Sequence, residues 1–170
     1  IVMRHILDQL ISALKLGQPV VLCTLIRNLG SAPRTSGARM VVFADGSTVG
    51  SVGGGALEGA CRSKADALLG GATTLSLLHS QYTTISAGDG GMGCGGSASM
   101  LLQLCDQTML PLLEKLQREY RNRLRPMLLT VLPRDNEPSR FLLLDSTNTS
   151  DIPTDLRMEI TRKERRAPFL

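Results

Sequence analysis

Apolar residues recur at Ile6, Leu7, Leu10, Ile11 and Leu14, the spacing of one helical face. The sequence therefore predicts a helix over Met3–Leu16, closed by Gly17. Pro19–Ile26 is an almost unbroken apolar run rich in Val and Leu, the pattern of a strand buried on both faces. Arg39–Ala44 and Thr48–Val52 read as strands joined by a tight Asp45-Gly46 turn, with Arg27–Gly37 as a loop. Ala56–Leu69 places Leu57, Ala60, Cys61, Ala65, Leu68 and Leu69 on one helical face, and Gly70-Gly71 stops it. Thr73–Leu78 and Ser97–Leu104 read as strands on either side of a polar, glycine-rich stretch, Ser80–Gly96. Loops of that length are uncommon in a compact domain and are usually functional or mobile. Thr108–Leu124 reads as a helix with Leu112, Leu113, Leu116 and Tyr120 on one side.

An internal echo follows. Pro126–Arg134 parallels Pro19–Arg27, and the Arg-led apolar segment Arg140–Leu144 parallels Arg39–Phe43. Each pair follows a helix, so helix–strand–strand occurs twice. The second copy lacks the Ser-Ala-Pro-Arg segment and the glycine triplet, and is expected to complete the sheet of the first. Hairpins and helices around one sheet give an α+β class, with mixed α/β layers, a mixed sheet and helices packed on it. The 170 residues read as one domain, with the motifs in residues 3–104 and a less marked second half in 108–161.

Composition narrows the function classes. The chain is 42% apolar and 20% charged, the balance of a globular protein. It has no Trp and 3% aromatic residues, which argues against a base-stacking platform for nucleic acid. Part of its net charge of +4 sits in Arg162–Arg166, read either as a solvated tail or as a contact for an acidic partner or phosphate. The four cysteines form no CxxC pair, which argues against zinc. Cys23 and Cys61 lie in apolar stretches and are expected in the core. With no membrane-length apolar run and no signal peptide visible, the expected compartment is a reducing cytoplasm.

Two glycine clusters stand out. Gly53-Gly54-Gly55 follows a predicted strand and opens a predicted helix, where free amides and the helix dipole favour an anion. The alternative is a tight, closely packed strand–helix turn. The triplet is neither a dinucleotide fingerprint nor a Walker A loop, since Glu58 stands at the third glycine position and no Gly-Lys-Ser/Thr follows. Glu58 falls in the first helical turn, as a complement to the dipole or as an acceptor for ligand amino groups. Arg34 and Arg39 are suited to bidentate phosphate contacts, and Ser31 and Ser51 offer hydroxyls. The second cluster surrounds Cys94, in Gly93-Cys94-Gly95-Gly96. An accessible thiol there suits soft-metal or sulfur chemistry, although no neighbouring cation activates it.

In their order and spacing these motifs resemble the XdhC/CoxI family of xanthine dehydrogenase accessory proteins. The matching residues are Gly30-Ser31-Ala32-Pro33-Arg34, Gly37-Ala38-Arg39-Met40, Asp45-Gly46, Gly50–Glu58 and Gly91-Met92-Gly93-Cys94-Gly95-Gly96. The resemblance implies a chaperone, non-catalytic itself, that binds the molybdenum cofactor and delivers it to a molybdenum hydroxylase apoenzyme. A cysteine desulfurase as further partner and a homodimer go with it; nucleic acid and membrane insertion do not. On these positions Ser31, Arg34, Gly53, Gly54 and Gly55 would hold the cofactor phosphate and Glu58 would shape the pocket. Cys94, with Gly95 and Gly96, would sit near the molybdenum or its sulfur. The family continues into a Rossmann-like domain marked by a Gly-Ala-Gly-His turn, a motif this sequence does not contain. Two other readings stay open: a sulfurtransferase-like or nucleotide-using enzyme with Cys94 as nucleophile, and a structural dimerisation module.

Overall fold

The computed structural model describes residues 2–29, 37–71, 97–124, 126–131 and 140–144. In chain order the elements are helix α1 (Val2–Lys15), strands β1 (Val20–Leu29), β2 (Arg39–Val42) and β3 (Thr48–Gly50), helix α2 (Gly55–Leu69) and strand β4 (Ser97–Cys105). A 3-10 turn (Gln107–Met109), helix α3 (Leu110–Arg121) and strands β5 (Met127–Val131) and β6 (Arg140–Leu144) complete it. The class is α+β, as the hydrophobic pattern predicts. Every strand pairing among the described residues is antiparallel.

The main sheet has the order β3-β2-β1-β4. Its strands alternate between two cores, as the two-residue period demands. Val20, Leu22, Val41 and Cys105 face Ile6, Leu10, Leu14, Leu113 and Leu116 of α1 and α3. Val21, Cys23, Met40, Val42, Met100 and Leu102 face Leu57, Cys61, Ala65 and Leu68 of α2. The central strands are thus covered on both sides, which explains why β1 reads as a continuous apolar run.

Helices α1 and α3 run antiparallel and are tied along their exposed edges. Arg4 donates to the Tyr120 carbonyl at 3.1 Å, Gln117 to Asp8 at 2.5 Å, and Lys15 pairs with Glu114 at 2.8 Å. Asp106 accepts from the Thr108 amide at 2.9 Å and starts the turn into α3. Helix α3 stops at Arg121 rather than Leu124, because Arg123 takes a left-handed φ of 59°. Strand β1 extends to Leu29, beyond the predicted end at Ile26. After an irregularity between Leu25 and Arg27 it pairs on with Ser97–Ser99 of β4.

The internal echo is present down to its register. Val21↔Val42, Leu22↔Val41, Cys23↔Met40 and Thr24↔Arg39 correspond, position for position, to Leu128↔Leu143, Leu129↔Leu142, Thr130↔Phe141 and Val131↔Arg140. The expectation that the second copy completes the first sheet is corrected: β5 and β6 form a two-stranded sheet of their own. Among the described residues no counterpart of α2 follows β6. The face that α2 covers in the first copy (Val21, Val42) corresponds in the second to Leu128 and Leu143, which lean on the α1–α3 core instead.

Candidate functional site

Strand directions bring the ends of β1 and β3 and the starts of β2 and β4 to one end of the main sheet. In an antiparallel sheet, the end where β1 finishes is also where β2 begins, β3 finishes and β4 begins. Leu29, the last residue of β1, is the Cα partner of Ser97, the first of β4. Gly37 and Ala38 lead into β2 beside Leu25: the Gly37 amide donates to the Leu25 carbonyl at 2.7 Å, and the Leu25 amide to the Ala38 carbonyl at 2.9 Å. Gly50, at the end of β3, pairs with Met40. Leu29, Gly37, the 51–54 turn and Ser97 therefore lie at the same sheet end.

Between β3 and α2 the chain turns under tight constraint. Gly50 has φ 89°, and a Cβ there would meet the Arg39 carbonyl and Ile6 Cδ1, so only glycine fits beneath α1. The Ser51 amide then donates to the Arg39 carbonyl at 3.1 Å, and Gly53 takes φ 127°. Helix α2 starts at Gly55 with no side-chain cap on Gly54; the Glu58 amide makes the first helical bond, to the Gly54 carbonyl at 2.9 Å. The amides of Gly55, Ala56 and Leu57 precede that bond and have no helical partner.

Two of the three glycines, Gly54 and Gly55, do not serve close packing of the fold. A Cβ on Gly54 or Gly55 would meet nothing within 4 Å, and both residues are exposed. Beside these open amides stands Glu58, half-buried, its Oε1 accepting from Ser51 Oγ at 2.7 Å. The helix start thus offers amide donors and a carboxylate acceptor side by side, with positive dipole potential behind both. Sequence reading named Ser51 and Glu58 separately and missed their pairing. Their signal was a hydroxyl seven residues before a carboxylate, across a strand–helix turn.

Gly53, Gly54, Gly55 and Glu58 are brought together in this way. Ser31, Arg34, Cys94, Gly95 and Gly96 lie outside the described residues, as do the predicted strand at Thr73–Leu78 and the basic run Arg162–Arg166. Arg39 contributes its backbone to the site, whereas its side chain leaves β2 on the α1–α3 face. There burial pulls the guanidinium below its ordinary value, opposed by nearby Tyr120. Among the described residues no group of three or more His, Cys, Asp or Glu is arranged to hold a metal ion, and no helix is long and apolar enough to cross a membrane.

Residues 13–80 match the model of the XdhC and CoxI family, so the family resemblance read from the motifs holds over that segment. A crystal structure described as a xanthine dehydrogenase from Bacillus halodurans has a similar fold, with a TM-score of 0.67 over 85% of this chain at 22% identity. The chain spans 42% of the length of that protein. No curated protein matches.

Proposed function

Taking the family match over residues 13–80 as premise, we propose that this chain is an accessory module for molybdenum hydroxylases of the xanthine dehydrogenase type. Its glycine-rich sheet end binds the molybdenum cofactor for delivery to the apoenzyme. The observation that supports this reading is the uncapped start of α2, whose glycines face open space beside the Ser51–Glu58 pair, at the sheet end where β1 and β3 finish.

The donor set fits a ligand with both a phosphate and an amino-bearing ring. Amides at the start of α2 suit the anionic phosphate, joined by Arg34 and Ser31. The free oxygen of Glu58 suits ring N–H and amino donors, and Ser51 holds the carboxylate in place. Cys94 supplies a soft sulfur near the metal or its sulfur ligand. The bound cofactor itself would bring the redox-active metal that the target enzyme needs. A cysteine desulfurase as sulfur donor and a dimeric assembly belong to the same proposal.

Titration of the chain with isolated molybdenum cofactor tests it, wild type beside Cys94→Ala and Glu58→Ala, followed by addition of apo-hydroxylase. Saturable binding, weakened by either substitution, and faster recovery of hydroxylase activity are expected. A folded wild-type chain that neither binds nor speeds reconstitution would overturn the proposal.

A further inference from the structure

The start of α1 and the end of α3 meet at Tyr120. Its carbonyl accepts from Arg4 Nη2 at 3.1 Å and from the Arg123 amide at 3.2 Å, and the Arg4 guanidinium lies 5.7 Å from the centre of the Tyr120 ring. The carbonyls before it are also taken. Arg118 accepts from the Asn122 amide at 2.9 Å and Glu119 from the Leu124 amide at 3.0 Å. The helix end is thus closed by backbone amides and Arg4. Its dipole accounts for a cation in the last turn, but not for Arg118, Arg121 and Arg123, all exposed, with Arg4 brought beside them from α1. The carboxylates of this face are engaged or half-buried: Asp8 accepts from Gln117, Glu114 pairs with Lys15 near Arg118, and Glu119 is half-buried. Among the described residues neither Arg121 nor Arg123 pairs with a carboxylate.

Two further features fall on the same spot. Leu124, 48% exposed, is one of two exposed large apolar side chains among the described residues. Arg123 holds a φ of 59°, the one positive value among the described non-glycine residues, just past a helix where glycine or asparagine is the usual residue. A side chain is strained in that conformation, so stability alone favours glycine there. The patch also shares the sheet end of the candidate site, on the face opposite α2. Ile6, two residues after Arg4, covers Gly50 at the end of β3, and Tyr120 lies near the Arg39 side chain at the start of β2.

We infer that Leu124, ringed by Arg4, Arg118, Arg121 and Arg123, is a docking surface for an acidic face of the client hydroxylase, an inference that rests on the accessory role proposed above. Arginine forks pair bidentately with carboxylates, and an apolar anchor inside an arginine rim is the anatomy of a protein interface. A nucleic-acid backbone would use the arginines and leave Leu124 in water. Docking here brings the client to the end of the molecule at which α2 starts.

The test measures binding of the full chain to immobilised apo-hydroxylase of the xanthine dehydrogenase type, at low and at high salt, with a short DNA duplex as the competing anionic probe. The same variants are titrated with molybdenum cofactor. Wild type should bind the hydroxylase, less tightly as salt rises. Arg121→Glu/Arg123→Glu should bind it at least about tenfold more weakly and still take up cofactor as wild type does. Leu124→Ala should weaken docking too. Arg123→Gly should unfold at a higher temperature yet dock more weakly, a split that a merely structural arginine would not produce. Hydroxylase binding unchanged in all these variants would overturn the inference and leave the accessory role standing. No hydroxylase binding by wild type would overturn both, whatever the cofactor titration shows for the helix start. Binding of the DNA duplex in place of the hydroxylase, lost on the same charge reversal, would also overturn the inference.

Discussion

The two α–β–β units of this chain share element order and strand register, and differ in what surrounds them. The first, α1-β1-β2, is extended by β3 on one side and β4 on the other, with helices on both faces. The second, α3-β5-β6, remains a two-stranded sheet resting one face on the first unit's core. A hairpin by itself is marginal in water, so the second unit depends on the first. The difference also bears on the proposed site. The glycine-rich start of α2 lies in the segment that follows the first unit, at the sheet end where β1 and β3 finish. The second unit braces the scaffold from the α1–α3 side.

Stability measurements can break this comparison. Leu14 is fully buried between α1 and the sheet, and Leu14→Ala should cost about 3 kcal/mol. Leu129, half-exposed on β5, should cost about 1 kcal/mol as Ala. Equal losses in urea unfolding would show that the second unit is as integral to the core as the first.

A smaller effect separates the glycines. Gly50→Ala forces a side chain into the Arg39 carbonyl at a left-handed φ and should destabilise by about 2 kcal/mol. Gly54→Ala meets open space and should change stability by less than about 0.5 kcal/mol. Thermal unfolding of the two variants side by side checks the contrast. Ser51→Ala removes the bond to Glu58 and should cost about 1 kcal/mol, with weaker ligand binding if the carboxylate must be held in place.

The smallest effect is on pH. Hydrogen bonds from Ser47 hold the Asp45 carboxyl below its ordinary 3.8, and Lys15 holds Glu114 below its ordinary 4.5. Both folded-state values are lowered, so the associated stability is present above those ordinary values and fades as pH falls through the lowered ones. Asp45 is exposed and Glu114 pairs with Lys15 at the surface, open to solvent screening, so Asp45→Asn and Glu114→Gln should leave acid unfolding curves nearly superimposable on wild type.

The helices and most strands were legible because their apolar spacing is forced by the cores they face: α1 by Leu7, Leu10 and Leu14, and β1 by burial on both sides. The hairpin at Asp45-Gly46 was legible from turn chemistry, and Ser47 completes it by donating to Asp45. The extension of β1 to Leu29 was not. Arg27 and Asn28 read as loop residues, and only pairing with Ala98 and Ser99 of β4, distant in sequence, makes them strand. The separate β5–β6 sheet was equally hidden, since apolar strands carry no mark of which sheet they join. At the site, the glycines and Glu58 were visible one by one. Their shared sheet end and the Ser51 bond depend on strand directions and a turn that local sequence does not encode.

The most direct test of the account is calorimetric titration of Gly55→Leu with molybdenum cofactor beside wild type. Gly55 faces open space, so the substitution should leave the unfolding temperature nearly unchanged and fill the room a ligand would take at the helix start. The account predicts saturable binding by wild type and at least a tenfold weaker affinity, about 1.4 kcal/mol, in the variant. Wild-type affinity in a variant of unchanged stability would show that the start of α2 is not the binding site.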